Sequence, residues 1–379
     1  MADMRSVILV GSGWHPPLFR AEADSLVGPI ETLHPRMVYV TIDDSSMSLL
    51  AESSLVESIL HSSCRLWSPA GLSSQDLALK IGDWADKFLP NGKFSVRARK
   101  LGRGIEGLSR RDVEVESGAI ISSLSKTVDL QNPDFEIVVI FAGQEPSPSH
   151  PDPYCQNSDL VVWGIRGDSL SGPYKSLSPT ERPFFKPVTL DPRLARLMVT
   201  LAHSGGHRPT AIVDPFCGTG GIAIEASNIG IEVLASDLDG EMVEGTRKNL
   251  EWANGEGQFT VAQQSADSIY TRWGERPGCA LVFDPPYGRN AWTSDDSLDI
   301  LSGALNSASK MLAKSICTML PASPNSLDGP ISSDLEVMGR TWKEVISTFL
   351  SNGWSVKSQY PVRVHKSLSR LVLVCHPSD

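Results

Sequence analysis

The chain has 379 residues, a formal net charge of −10, 21% charged and 41% hydrophobic residues. That length exceeds one typical core and implies two or three domains. No apolar run approaches the roughly 20 residues of a membrane span, and MADMRSVILVG has no signal-peptide pattern, so a cytoplasmic protein is expected. The six cysteines (64, 155, 217, 279, 317, 375) contain no C-x-x-C pair, which argues against a zinc knuckle or a disulfide framework and for reduced, buried thiols.

Residues 1–90 alternate short strands with helical stretches and read as an N-terminal α/β domain. Ser6 to Val10 and Met37 to Ile42 are strand-like, while Pro17 to Val27 and Ser48 to His61 read as helices. Gly11-Ser12-Gly13 starts like a dinucleotide turn, but Trp14-His15-Pro16-Pro17 does not suit a pyrophosphate, and a plain loop is expected.

Residues 91–168 look like a second unit. Phe94 to Lys100 alternates as a strand, and Phe94 to Arg111 holds six basic residues against one acidic residue. In so acidic a chain, Arg97, Arg99, Lys100 and Arg103 fit the footprint of a phosphate backbone. A charge-guarded edge strand fits the same residues equally well. A helix over Val113 to Leu124 and strands at Phe135 to Phe141 and Leu160 to Ile165 follow. Residues 169–190 read as a linker in which Phe184 and Phe185 anchor against a neighbouring domain.

From Asp191 to the end the pattern is strictly α/β. Strands at 211–214, 231–236, 258–262, 279–283 and 315–320 are separated mostly by amphipathic helices, and the last two strands, 354–360 and 368–375, form a hairpin. This predicts a seven-stranded, mostly parallel sheet covered on both faces, with ligands at the carboxyl ends of the strands. Asp214, Asp237, Asp267 and Asp284 all fall at or just past strand ends. After Asp214, the glycines of Pro215 to Gly221 turn the chain into a helix. The turn lacks the Gly-Lys-Ser/Thr of a P-loop and the third glycine of G-x-G-x-x-G, so alone it is either a nucleotide turn or an ordinary tight turn. Asp237 is placed to accept from ribose hydroxyls. Asp267 is placed to accept from an adenine amine. In Asp284-Pro285-Pro286-Tyr287, two prolines stiffen a turn that offers acceptors and an aromatic face, suited to a planar substrate bearing an NH₂ group.

Asp214 to Gly220 resembles the S-adenosylmethionine loop of class I methyltransferases, and Asp284 to Tyr287 the D-P-P-Y signature of enzymes that methylate exocyclic amines. Residues 94–165 resemble a THUMP RNA-binding domain, PVTLDPRLARLMVTLA the helix leading into the catalytic domain, and RVHKSLSR (363–370) the hairpin that closes it. Together they resemble the archaeal and eukaryotic tRNA guanosine-10 N2-methyltransferases. The resemblance implies a Rossmann-like catalytic domain over 191–379 with S-adenosylmethionine bound by Asp214, Phe216, Gly218, Thr219, Gly220, Asp237, Leu238, Ala266 and Asp267. It implies that Asp284 and the Pro285 carbonyl orient the guanine amine, with Pro286 stiffening the turn and Tyr287 stacking on the flipped base. A tRNA substrate and a small zinc-binding activator subunit are implied partners. Amino methylation of another RNA or of DNA, and a catalytically silent tRNA-binding protein, are the alternatives.

Overall fold

The computed structural model describes residues 4–145, 152–156, 159–167, 178–187, 189–285, 296–322, 331–365 and 368–378. The chain divides into two compact units, one comprising Met1–Ala23, Pro29–Ala51 and Leu55–Ser171, the other Asp24–Gly28, Glu52–Ser54 and Gly172–Asp379.

The first unit runs β1 (Arg5–Gly11), α1 (Pro16–Val27), β2 (Glu31–His34), β3 (Met37–Ile42), α2 (Asp44–Leu50), β4 (Val56–Trp67), α3 (Ser74–Phe88), β5 (Lys93–Leu101), α4 (Arg110–Ser123), β6 (Thr127–Val128), β7 (Phe135–Ala142) and β8 (Leu160–Arg166). All eight strands form one sheet in the order β2-β3-β1-β4-β8-β7-β5-β6. Helices α3 and α4 pack on one face through Leu77, Ile81, Trp84, Val113 and Ile121, over Phe94 and Val96 of β5 and Ile137 and Val139 of β7. Ser73 caps α3 in a reciprocal capping box with Asp76, a feature worth about 1 kcal/mol.

One expectation is corrected here. The helix expected over Ser48–His61 ends at Leu50, and β4 begins at Val56. Leu60 and Ile59 pair with Ile8 and Leu9 of β1. Pairing and burial against a neighbouring strand override local helical spacing. The sheet of this unit is continuous across residue 90, because β4 pairs on one edge with β1 and on the other with β8. Strand partners are non-local, and composition does not reveal them.

The second unit runs α5 (Pro192–Leu201), β9 (Ala211–Asp214), α6 (Gly221–Ser227), β10 (Glu232–Asp237), α7 (Gly240–Ala253), β11 (Phe259–Gln263), α8 (Ile269–Trp273), β12 (Ala280–Phe283), α9 (Asp296–Lys310), β13 (Ser315–Ala322), β14 (Glu336–Val337), β15 (Arg340–Thr341), α10 (Trp342–Ser351), β16 (Trp354–His365) and β17 (Leu368–Pro377). The long strands lie in the order β11-β10-β9-β12-β13-β17-β16. The first five are parallel, and β17 is antiparallel to both β13 and β16. Apolar runs such as Ile212-Val213 and Leu281-Val282-Phe283 are fully buried, as a parallel sheet covered on both faces requires.

The expected seven strands are all present, in the alternation expected of a Rossmann-like domain. Among the described residues the sheet counts nine strands and not seven, because β14 and β15 extend it from β13. Two-residue strands leave no periodicity to read. The segment read as a linker also contributes to this unit: the Phe184 backbone exchanges two hydrogen bonds with the Asn249 side chain, and its ring lies where a Gly245 side chain would sit. Phe185, expected to anchor as well, is exposed.

Candidate active site

Strand order reverses between β9 and β12. In open parallel sheets the crevice at such a reversal, outside the carboxyl ends of the strands, is where ligands bind. Asp214 ends β9, Asp237 ends β10, and Asp284 immediately follows β12. Three of the four strand-end acids thus share one edge of the sheet. Asp267 lies in the short 3-10 turn Ala266–Ser268 after β11, next in line, where Ala266 is buried and Asp267 is exposed.

The loop between β9 and α6 is held from three sides. The Cys217 amide donates to the Ser236 carbonyl at 2.9 Å. The Gly218 amide donates to Asp237 Oδ2 at 3.0 Å, and the Thr246 hydroxyl donates to the Gly218 carbonyl at 2.8 Å. Gly218 and Gly220 have φ of 50° and 81°, a region that favours glycine. A Cβ on Gly220 would also meet Thr246 Cγ2 at 3.0 Å. Thr219 is buried, its hydroxyl 3.0 Å from that of Thr189 and its carbonyl accepting from Asn249. Phe216 tilts against Phe283 with ring centroids 5.5 Å apart, tying the loop to β12.

Asp237 accepts from the Gly218 and Asp239 amides, one on each oxygen, leaving each oxygen a further lone pair. Leu238 beside it is 69% exposed. An acceptor pair flanked by an unburied apolar side chain suits a ribose followed by a flat heterocycle. Burial, with smaller contributions from Asp237 and Asp284, pushes the Asp214 carboxyl well above the usual range, although the Phe216 amide opposes the shift. A site where carboxyls are this costly to ionise favours a ligand bringing positive charge. S-adenosylmethionine carries a sulfonium and an ammonium, a ribose and an adenine, and so fits these residues.

Asp284 is held by a residue that sequence reading did not name as part of the site. Arg370 of β17 donates from Nη1 to Asp284 Oδ2 at 3.1 Å. Oδ1 of the same carboxylate is buried and has no hydrogen-bond partner among the described residues. Burial raises the Asp284 carboxyl to about 7, and Arg370 pulls it down from what burial alone would give. In the sequence Arg370 is visible as the last residue of RVHKSLSR, before the apolar run LVLVC, with nothing local that pairs it with Asp284. Pro285 is buried. Pro286 and Tyr287 lie outside the described residues.

The four basic residues singled out in the first unit differ in their surroundings. Arg97 is exposed and donates to the Leu130 carbonyl. Arg99 turns inward to the Ser58 hydroxyl of β4, at 3.1 Å. Between β5 and β4 there are three strand spacings, about 14 Å in a flat sheet, so the sheet must curl for the contact to form. Lys100 and Arg103 line a cavity of about 570 Å³ with Gly104 to Leu108, Gln144 and Asp159.

Comparison with known proteins agrees with this geometry. Residues 179–331 match the RMKL-like methyltransferase domain. The tRNA (guanine(10)-N2)-dimethyltransferase of Methanothermobacter thermautotrophicus is 33% identical over 309 residues, 80% of this chain and 79% of that protein. This chain belongs to the tRNA (guanine(10)-N2)-methyltransferase family. Its counterpart in Pyrococcus abyssi is 30% identical over 264 residues, 69% of this chain and 73% of that protein. The tRNA (guanine(10)-N(2))-methyltransferase TRMT11 of Gallus gallus is 30% identical over 186 residues, 43% of this chain and 38% of that one.

Proposed function

We propose that this enzyme transfers a methyl group from S-adenosylmethionine to the exocyclic N2 amine of a guanosine in tRNA, at position 10. The observation that carries this reading is Asp284. A carboxylate held by one oxygen, with its other oxygen unpartnered among the described residues, stands at the reversal of strand order beside a glycine loop.

S-adenosylmethionine supplies an electrophilic methyl carbon on a sulfonium. The guanine N2 lone pair is delocalised into the ring, so the amine is a weak nucleophile, and the protein's work is to orient it. Asp284 Oδ1 and the Pro285 carbonyl accept its two hydrogens, which turns the lone pair toward the methyl. With S-adenosylmethionine bound, its methyl would pass to the amine and a neutral thioether would be left behind, while Asp284 and Pro285 hold the nitrogen in line. The nitrogen then carries one hydrogen too many, and Asp284, with a carboxyl titrating near 7, is matched to take that proton. Tyr287 stacks on the base once it is drawn out of the helix, at a cost of a few kcal/mol.

Residues 91–168 act as a THUMP-type RNA-binding region, with exposed Arg97, Lys100 and Arg103 contacting tRNA phosphates. A small zinc-binding subunit pairs with the catalytic unit, and the enzyme works in the cytoplasm. None of the helices among the described residues is long and apolar enough to cross a membrane. The decisive experiment is nucleoside mass spectrometry of tRNA after incubation with enzyme and S-adenosylmethionine. N2-methylated guanosine at position 10 is expected, and an unmodified G10 with a methylated base elsewhere overturns the assignment.

A further inference from the structure

Arg370 is not part of the acidic edge or of the glycine loop, yet it reaches the residue on which transfer depends. It arrives by topology. Strand β17 is antiparallel, so its first residues lie beside the last residues of the parallel strands, with Arg370 paired to Pro321 on β13 and to Val362 on β16. From there, across β13, it reaches Asp284 past the end of β12. Its side chain is 11% exposed and that of Asp284 is 15% exposed, so the contact is largely shielded from solvent.

We propose that Arg370 is a positioning residue for methyl transfer: by holding Oδ2 of Asp284 through Nη1 it fixes the carboxylate so that Oδ1 is presented to the substrate amine. The inference rests on the role given to Asp284 above. Two consequences separate this role from a merely structural ion pair. A carboxylate turning freely about its terminal torsion would present either oxygen, so the guanidinium selects one acceptor geometry. It also opposes burial, keeping a substantial fraction of the carboxylate ionised at neutral pH. At the neighbouring strand ends, Asp214 closes β9 and Asp237 closes β10, and Asp284 contributes to the rise of the Asp214 carboxyl. Among the described residues, Arg370 is the charged group that acts on the Asp284 carboxyl itself.

Single-turnover methyl transfer is to be measured between pH 6 and pH 9.5, with cofactor affinity and thermal melting recorded for each variant. Arg370→Gln keeps a donor but loses the charge. Its acid limb is expected to move at least one unit to higher pH, with transfer at pH 7 reduced on the order of tenfold and largely recovered at pH 9. Arg370→Lys keeps the charge, and its limb is expected within half a unit of wild type, with a lower plateau because a single ammonium does not hold the carboxylate as a guanidinium does. Cofactor affinity is expected to change less than twofold in both. An acid limb at the wild-type position in Arg370→Gln, or equal losses in the two variants at every pH, overturns the proposal. Asp284→Asn is the control for the underlying reading: it is expected to be inactive at every pH. Wild-type turnover in Asp284→Asn means that the role of Asp284 itself has failed, whatever Arg370 does.

Discussion

Arg370 and Asp284 are 86 positions apart in the chain, yet the guanidinium Nη1 lies 3.1 Å from the carboxylate Oδ2. The pair joins the last strand of the chain to the end of β12, and it leaves one carboxylate oxygen without a protein partner among the described residues.

Removing the carboxylate tests the chemistry. Asp284→Ala is expected to lower kcat on the order of 10²-fold or more, because one positioned acceptor is lost at the reacting centre. Cofactor affinity, which rests on other residues, is expected to stay within a few-fold. Tritiated-methyl transfer with calorimetric cofactor titration checks both, and unchanged turnover sinks the role.

The same residue has a signature in stability. Between the ordinary value of 3.8 and about 7, folded Asp284 keeps a proton that the unfolded chain has released. Stability contributed by this group is therefore lost as pH rises through that window. Asp284→Asn cannot ionise, so its stability relative to wild type should rise from pH 4 to pH 8 by at most about 4 kcal/mol, less what Arg370 loses with its partner. Melting curves across that range give the answer. A difference that stays flat or falls contradicts the raised carboxyl.

The glycine loop is expected to be intolerant at a defined position. Gly220→Ala places a side chain at φ 81° with its Cβ 3.0 Å from Thr246 Cγ2. A cost of about 1–2 kcal/mol in stability and at least a tenfold loss of cofactor affinity are expected. Gly218→Ala shares the strained φ but meets nothing nearer than 4.0 Å, so its effect should be smaller. The reverse ranking would show that the approach of Thr246 does not matter.

In the first unit the basic residues are expected to separate into two groups. Lys100→Ala with Arg103→Ala should weaken tRNA binding and lower the slope of log affinity against log salt by about 2, one per phosphate contact. Arg99 is half-buried, and burial lowers its pKa, so Arg99→Ala is expected to act mainly on folding. Filter binding at several salt concentrations, set beside thermal melts, distinguishes them. An unchanged salt slope in the double variant places the phosphate contacts elsewhere.

Much of the catalytic half was legible in the sequence because its signals are local. Parallel strands buried on both faces are short apolar runs, amphipathic helices repeat every 3.6 residues, and a turn that needs φ above zero displays its glycines. The acids at the ends of β9, β10 and β12 could be named for the same reason. In the first unit the local signal is weaker: Ser48 to His61 has helical spacing, yet Val56 to His61 belongs to β4. There the deciding interactions are pairings between strands far apart in the chain.

The sequence by itself determined the order of elements in the second unit, the glycine loop after β9 and the carboxylate after β12, since each is written within a few consecutive residues. Only the tertiary structure decided which oxygen of Asp284 has no partner among the described residues and which basic residues remain exposed. Those depend on an antiparallel strand that delivers Arg370 to the far end of β12, and on the curl that brings Arg99 to Ser58. A side chain's partner across a sheet is fixed by strand order and register, and neither has a local pattern from which to read it.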